Sequence, residues 1–392
     1  MKRNILITGG ELFNKGAQSM TFITVNELKK RFPNHEILLS SSRDFKRDYE
    51  EKQQYNFKIC HDVFQYLFAF GSYARLKKMD KDLIAKSKEI LKMTDIIIDI
   101  SGFALSSNSL RRTIYYLSKF NIARKYNIKA YIMPQSFGPF VYNKFINPFL
   151  HILIANTLQY PEVIFAREKE GYDLLRTDMK LTNVKLSPDL VLLSEEIDLE
   201  NIYKKRPELK EYNIKNNSVG IIPNMKNFHH GNREEIITLY EKIINYLIKD
   251  GMNVYLIRHS FEDIEACQLI KSRFKENENV MLFSDDLSCL EFEKLVVKFD
   301  FLIASRYHSI IHAYKNGIPC ISIGWATKYK ELLQMFKQEH YNFDVRGKLN
   351  FDAVLTAIKK MKMQFKNESL IIRKVIEELP EENIFDHIKI SV

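Results

Sequence analysis

Ser305-Arg306-Tyr307-His308 places a guanidinium and an imidazole two residues apart. Before them runs the apolar Phe301-Leu302-Ile303-Ala304. After them comes a helical pattern whose apolar face is Ile310, Ile311, Ala313 and Tyr314. A strand that gives way to a helix here would put His308 at the helix N-terminus and Arg306 in the preceding turn, with Ser305 or Ser309 as the cap. The positive end of a helix beside an arginine is an anion site. A bound anion would favour the charged form of His308, so the same group could deliver a proton near neutral pH. His312, one turn on, is read as packing.

Four further stretches put polar groups at strand ends. In "TGGELFNKGAQSM", Gly9, Gly10 and Gly16 follow a strand and open a helix, where a bare backbone can approach a ligand. The spacing fits neither a dinucleotide fingerprint nor a P-loop. Asn14 is a ligand or a turn residue. In "ISGFALSSNS", Asp99 precedes a short loop at Gly102, and Ser106, Ser107 and Asn108 either meet a sugar or cap the next helix. In "MPQSFGPF", two prolines stiffen a loop presenting Gln135 and Ser136. In "IFAREKEGYDLL", Arg167 follows an apolar strand directly. It either grips a carboxylate or phosphate or pairs with Glu170 at the surface.

The elements that must position these residues alternate short apolar runs with amphipathic ones, as α/β layering does. "NILIT", "HEILLSS", "DIIIDIS", "KAYIMPQS", "VIFARE" and "VKLSPDLVLL" read as strands of a first parallel sheet. The pattern dissolves after Leu193 and restarts at "SVGIIP". The expected plan is therefore a first Rossmann-like domain over 1–195 and a connection over 196–216. A second such domain covers 217–350, with helices over 351–392. Two doubly wound domains facing across a cleft bind ligands at the carboxyl ends of their strands.

A chain of 392 residues supports two domains. The net charge of +10 attracts anions in general, but no nucleic-acid module accompanies it, and nucleic acid is not expected as a partner. Cys60, Cys267, Cys289 and Cys320 form no C-x-x-C pair and no Cys/His cluster, so no metal is expected, and without a dinucleotide fingerprint after the first strand no cofactor is expected either. Cys320 reads as a small buried hydrophobe. No apolar run reaches the roughly 18 residues of a membrane span, and the best, Phe145 to Ala155, is broken by Asn147, Pro148 and His151. "MKRNILITGG" is too short in its apolar part for a signal peptide, which makes the cytoplasm, or the inner face of its membrane, the expected location. Peripheral membrane contact, if any, is expected at residues 61–78, where aromatics mix with Arg75, Lys77 and Lys78.

The N-x-G-A run at Asn14, "MPQSFGP", "FAREKEG", "SPDLVLL" and, above all, "SRYHSIIHAYKNGIPCISI" followed by Lys328 resemble the polysaccharide pyruvyl transferases, in order, from about Asn4 to Lys330. An acidic residue common after the family's N-x-G is replaced here by Ala17, followed by Gln18. The resemblance implies a GT-B-like pair of Rossmann domains. It also implies transfer of a pyruvyl group from phosphoenolpyruvate to sugar hydroxyls, forming a ketal in a capsular, exopolysaccharide or cell-wall glycan. The acceptor it implies is a sugar or lipid-linked oligosaccharide. Arg167 and Arg306 would clamp the donor, His308 would act as acid or base, and Lys328 would be a third cation. Asn14, Gly16, Gly102, Gln135, Ser136 and Ser309 complete the expected binding set. Two other readings stay open: a nucleotide-sugar glycosyltransferase of the same architecture, and a non-catalytic carbohydrate- or anion-binding protein.

Overall fold

The computed structural model describes residues 2–68, 80–107, 109–325 and 328–390. It divides into two compact units. The first holds Met1–Leu12, Met20–Pro207 and Glu381–Val392; the second holds Phe13–Ser19 and Glu208–Pro380. The contiguous division expected from sequence thus misses two exchanged segments. The seven residues after Leu12 go with the second unit and the C-terminal tail with the first. Periodicity cannot reveal either, because it reports each segment's own conformation and not what it packs on.

In the first unit the strands are β1 (Asn4–Thr8), β2 (Glu36–Ser40), β3 (Lys58–Cys60), β4 (Thr94–Asp99), β5 (Lys129–Gln135), β6 (Val163–Ala166) and β7 (Val184–Leu186). They form one parallel sheet in the order β3-β2-β1-β4-β5-β6-β7. The central strands are buried along nearly their whole length, with apolar runs such as Ile96–Ile98 at their centres, as helices on both faces require. The last strand is shorter than "VKLSPDLVLL" suggests. Pro188 cannot donate to a sheet ladder, and Asp189 turns back to accept from the amide of Val191 at 2.9 Å.

The second unit repeats the plan with β8 (Ser218–Ile222), β9 (Asn253–Ile257), β10 (Val280–Phe283), β11 (Phe301–Ala304), β12 (Cys320–Gly324) and β13 (Asn342–Asp344). Their order, β10-β9-β8-β11-β12-β13, is again parallel and is the doubly wound Rossmann order. The strand order reverses beside β1 in the first sheet and beside β8 in the second, so the loops after β1, β4, β8 and β11 flank the switch points. One long helix, Phe351–Glu377, replaces the several expected near the C-terminus. Its buried Glu368 accepts from Gln338 Nε2 at 2.8 Å and from the hydroxyl of Tyr341 at 2.9 Å, fixing it to the second unit.

Among the described residues no helix is long and apolar enough to cross a membrane. Most of the 61–78 surface expected to meet lipid lies outside the described residues. Of its described part, Val63 and Phe64 sit in the core of the first unit, and the Phe68 ring packs edge-on against Tyr115.

Candidate functional site

In the second unit, the Tyr307–Lys315 helix starts where β11 ends, as the sequence requires, with Arg306 at the N-cap. Neither expected serine caps it. Ser309 Oγ donates back to the Arg306 carbonyl at 2.6 Å, and Ser305 Oγ bonds the Tyr240 hydroxyl at 3.0 Å. Among the described residues Arg306 makes no side-chain capping hydrogen bond at this helix end.

Four basic side chains, Arg306, Lys15, Arg258 and Lys328, gather around this helix end. Arg306 donates from Nε to Asp263 Oδ2 at 2.9 Å and from Nη2 to Asp263 Oδ1 at 2.6 Å and Glu262 Oε1 at 2.5 Å. Burial alone would lower its pKa, but the two carboxylates outweigh this and raise it. Lys15 Nζ and Arg258 Nη2 share one carboxylate, Asp286, at 3.7 and 3.2 Å. That aspartate's side chain is 71% exposed, against 3% for Lys15. Burial pulls the Lys15 pKa down, and Asp286 only partly offsets it. Lys328 completes the set, its ammonium 5.1 Å from the Tyr307 ring centroid.

The Asn14 segment belongs to this cluster. Asn14 Oδ1 accepts from the amides of Gly16 at 3.0 Å and Ala17 at 3.4 Å, capping the Lys15–Arg31 helix, and Asn14 forms an isolated antiparallel bridge with Ser260. Gln18 Oε1 accepts from the Cys289 amide at 2.7 Å. Ser19 Oγ lies 3.0 Å from His312 Nε2, so His312 is a buried packing and hydrogen-bonding residue. Gly16 presents its bare Cα to His308: a Cβ there would overlap the imidazole.

His259 is the residue the sequence reading passed over. It follows β9 by two residues, is 1% exposed, and has no hydrogen-bond partner at either ring nitrogen among the described residues. Its ring stands edge-on to Phe292. Burial, reinforced by Lys15 and Arg306, holds its pKa well below the ordinary imidazole value. The signal was present in "LIRHS", a strand running into Arg258 and His259 just as β11 runs into Arg306 and His308.

In the first unit the expected residues fall into two linked buried networks. Arg167 donates to Glu168 at 2.9 Å, Asp189 at 2.6 Å, Ser136 Oγ at 2.6 Å and the Gly102 carbonyl at 3.4 Å. Its neighbours are thus Glu168 and Asp189 inside the fold, where sequence had offered a surface pair with Glu170. Ser136 Oγ donates to Glu168 at 2.8 Å. Gly102 has φ +67°, a conformation that favours glycine, and its carbonyl also accepts from the Ser136 amide at 2.9 Å. Gln135 is fully buried, its Nε2 reaching Asp99 at 3.2 Å and the Tyr116 hydroxyl at 2.7 Å. Asp99 also pairs with buried Lys119 at 3.3 Å. Ser109 caps the next helix, accepting from the Arg112 amide; Asn108 lies outside the described residues. Among the described residues no group of three or more His, Cys, Asp or Glu is arranged to hold a metal.

Two parallel six- and seven-stranded Rossmann-like units define a GT-B-type enzyme fold. The chain belongs to the polysaccharide pyruvyl transferase family, whose model it matches over residues 14–327. Solved structures resemble it in fold. The Staphylococcus aureus MnaA–UDP structure has a TM-score of 0.58 at 11% identity, covering 98% of this chain and 94% of that one. A UDP-GlcNAc 2-epimerase from Methanocaldococcus jannaschii gives 0.56 at 16% identity, covering 95% and 99%. UGT71G1 of Medicago truncatula with UDP-glucose gives 0.53 at 10%, covering 96% and 93%. No curated protein matches the chain.

Proposed function

We propose that this protein transfers the pyruvyl group of phosphoenolpyruvate to two hydroxyls of a sugar, forming a pyruvate ketal in a surface or cell-wall glycan. The observation that carries the reading is the meeting of two family motifs within one unit. Asn14-x-Gly16 is seated against Arg306-x-His308, although nearly the whole family match lies between them. Phosphoenolpyruvate has a carboxylate and a phosphate close together, so it suits several fixed cations around a helix N-terminus. Lys15, Arg258 and Arg306 supply the cations. The exposed Asp286 is the carboxylate that a donor anion displaces.

The reaction balances without a cofactor. One hydroxyl oxygen bonds to the donor's central carbon as the methylene carbon gains a proton and becomes a methyl. The second hydroxyl oxygen then displaces phosphate, whose leaving oxygen takes the other hydroxyl proton. In this reading His308 holds the proton that moves to the methylene carbon. Ser309, whose hydroxyl is committed to Arg306, shapes the turn, while Lys328 adds positive field. Arg167 acts in the first unit by fixing Ser136 and the Gly102 loop at the sheet edge where the acceptor binds.

Thermal shift with phosphoenolpyruvate, inorganic phosphate and UDP tests the donor class, because a ligand that binds only the folded state raises the midpoint. A shift with phosphoenolpyruvate exceeding that with phosphate is expected. A shift with UDP alone would move the assignment to nucleotide-sugar chemistry.

A further inference from the structure

We propose that the outer face of the Asn147–Leu158 helix, together with the first turn of the Leu110–Lys125 helix beside it, docks on an anionic lipid bilayer. The helix Asn147–Leu158 contains no charged residue. One side of it, with Leu150, Ile154 and Leu158, packs into the core of the first unit. The other side exposes large apolar side chains to solvent, together with Asn156. Phe149 is 67% exposed and Ile152 61%, and their spacing of three residues sets them on one side of the helix. In the turn before the helix Phe145 is 90% exposed, and in the loop before that Val141 is 75% exposed. A contiguous exposed apolar stripe of large side chains marks a contact surface.

Charge identifies the occupant. From Ser101 to Pro161 the chain holds no Asp or Glu, while Arg111, Arg112, Arg124, Lys125 and Lys144 lie exposed on it. The two helices run side by side in the same direction: Thr113 Oγ1 bonds the Tyr142 hydroxyl at 2.9 Å near one end, and Arg124 Nη2 donates to the Asn156 carbonyl at the other. Arg111 and Arg112 open the Leu110–Lys125 helix at the end where Thr113 meets Tyr142, and Leu110 beside them is 38% exposed. Large apolar side chains flanked by basic ones, on a stretch of chain without acidic residues, match the boundary between acyl chains and anionic headgroups. A second copy of this chain would instead bring the basic residues of this stretch against one another.

This face is held rigidly. Asn147 Oδ1 accepts from the Tyr142 amide at 3.0 Å, Asn143 Oδ1 from the Phe145 amide at 3.1 Å, and the Phe140 carbonyl is 2.8 Å from His151 Nε2. The exposed rings need no unfolding to reach lipid. This inference does not depend on the donor assignment.

Flotation of the full chain with vesicles of equal parts phosphatidylglycerol and phosphatidylcholine tests it, with pure phosphatidylcholine vesicles as the comparison. The wild type is expected to float with the anionic vesicles and much less with the neutral ones. The pair Phe145→Ser and Phe149→Ser, and separately the pair Arg111→Glu and Arg112→Glu, should each lower partitioning by on the order of tenfold or more. Their thermal midpoints should match the wild type, since all four side chains are exposed. Failure of the wild type to float at low salt would overturn the proposal. So would loss in the charge variant with full binding by the serine variant, which would signify general electrostatic adsorption. Sedimentation showing a wild-type dimer that the serine variant abolishes, with no flotation, would give the face to a second copy and also overturn it.

Discussion

Gly16 and His308, nearly three hundred positions apart in sequence, are packed so closely that a single methyl group at Gly16 would occupy the space of the His308 ring. Gly16 lies in the first turn of a helix, where alanine would ordinarily stabilise by about 1 kcal/mol. Gly16→Ala should therefore gain no stability and should displace the imidazole. A displacement of about 1 Å at a catalytic group can cost on the order of 100-fold in turnover. Steady-state kinetics of Gly16→Ala that matched the wild type would show that the position of His308 is not critical.

His308 itself separates proton transfer from anion binding. If it delivers a proton, His308→Ala and His308→Gln should both lose on the order of 10²–10⁴-fold in kcat at saturating donor, with little change in donor affinity. A glutamine can keep a hydrogen bond but cannot supply the proton. Near-normal kcat in His308→Gln, with the loss confined to KM for the donor, would reduce the histidine to an anion ligand.

Arg306→Ala leaves the fully buried Asp263 without its main partner. Breaking a buried ion pair from one side costs roughly 3–5 kcal/mol, so the melting temperature should fall sharply. Pairing it with Asp263→Ala should restore much of the stability and none of the donor affinity. Recovery of donor binding along with stability in the double variant would make Arg306 purely structural.

His259 gives a pH signature. Its folded pKa is depressed by burial, with Lys15 and Arg306 beside it adding to the effect, so the folded protein holds it neutral. Below about 6.5 the unfolded chain takes up a proton that the folded one does not, and stability falls by up to about 1.4 kcal/mol per pH unit. The contribution is absent above that value. Urea unfolding at about pH 7.5 and about pH 5.5 should therefore show a steeper loss in the wild type than in His259→Gln. Equal slopes would mean that His259 is not held neutral.

Arg167 should behave as a keystone of the first unit. Arg167→Met strands Asp189 and Glu168 in a buried place and should destabilise by about 3–5 kcal/mol. The donor's affinity in whatever protein remains folded should be unchanged. Calorimetry with phosphoenolpyruvate on the folded fraction checks this, and a large affinity loss would return Arg167 to the donor.

All strands but the short edge strands β3 and β13 were legible, because buried parallel strands such as Ile5–Ile7 and Phe301–Ala304 are continuous apolar runs, while Lys58–Cys60 and Asn342–Asp344 are three-residue edges without such a run. The Arg306–His308 turn was legible for a related reason: it sits where one such run stops. What could not be read were partners distant in sequence. Nothing local to Asn14 says that it bridges to Ser260, and nothing local to Arg167 says that Asp189 waits beyond Pro188. His259 was readable in principle. It was missed because a histidine after a strand looks like any polar turn residue until its burial and its empty ring nitrogens are seen.

The exchange of Phe13–Ser19 and the tail from Glu381 has a consequence for how such proteins can be recombined. A single cut near Pro207 yields two fragments of which neither is whole. The later one lacks the seven residues that carry Asn14 and Gly16, and the earlier one lacks its C-terminal tail. Modular shuffling by one crossover would therefore pair a His308 from one parent with a Gly16 from another. The two halves are consequently bound to descend together, and a working chimera needs its junctions at Leu12, Ser19, Pro207 and Pro380 at once.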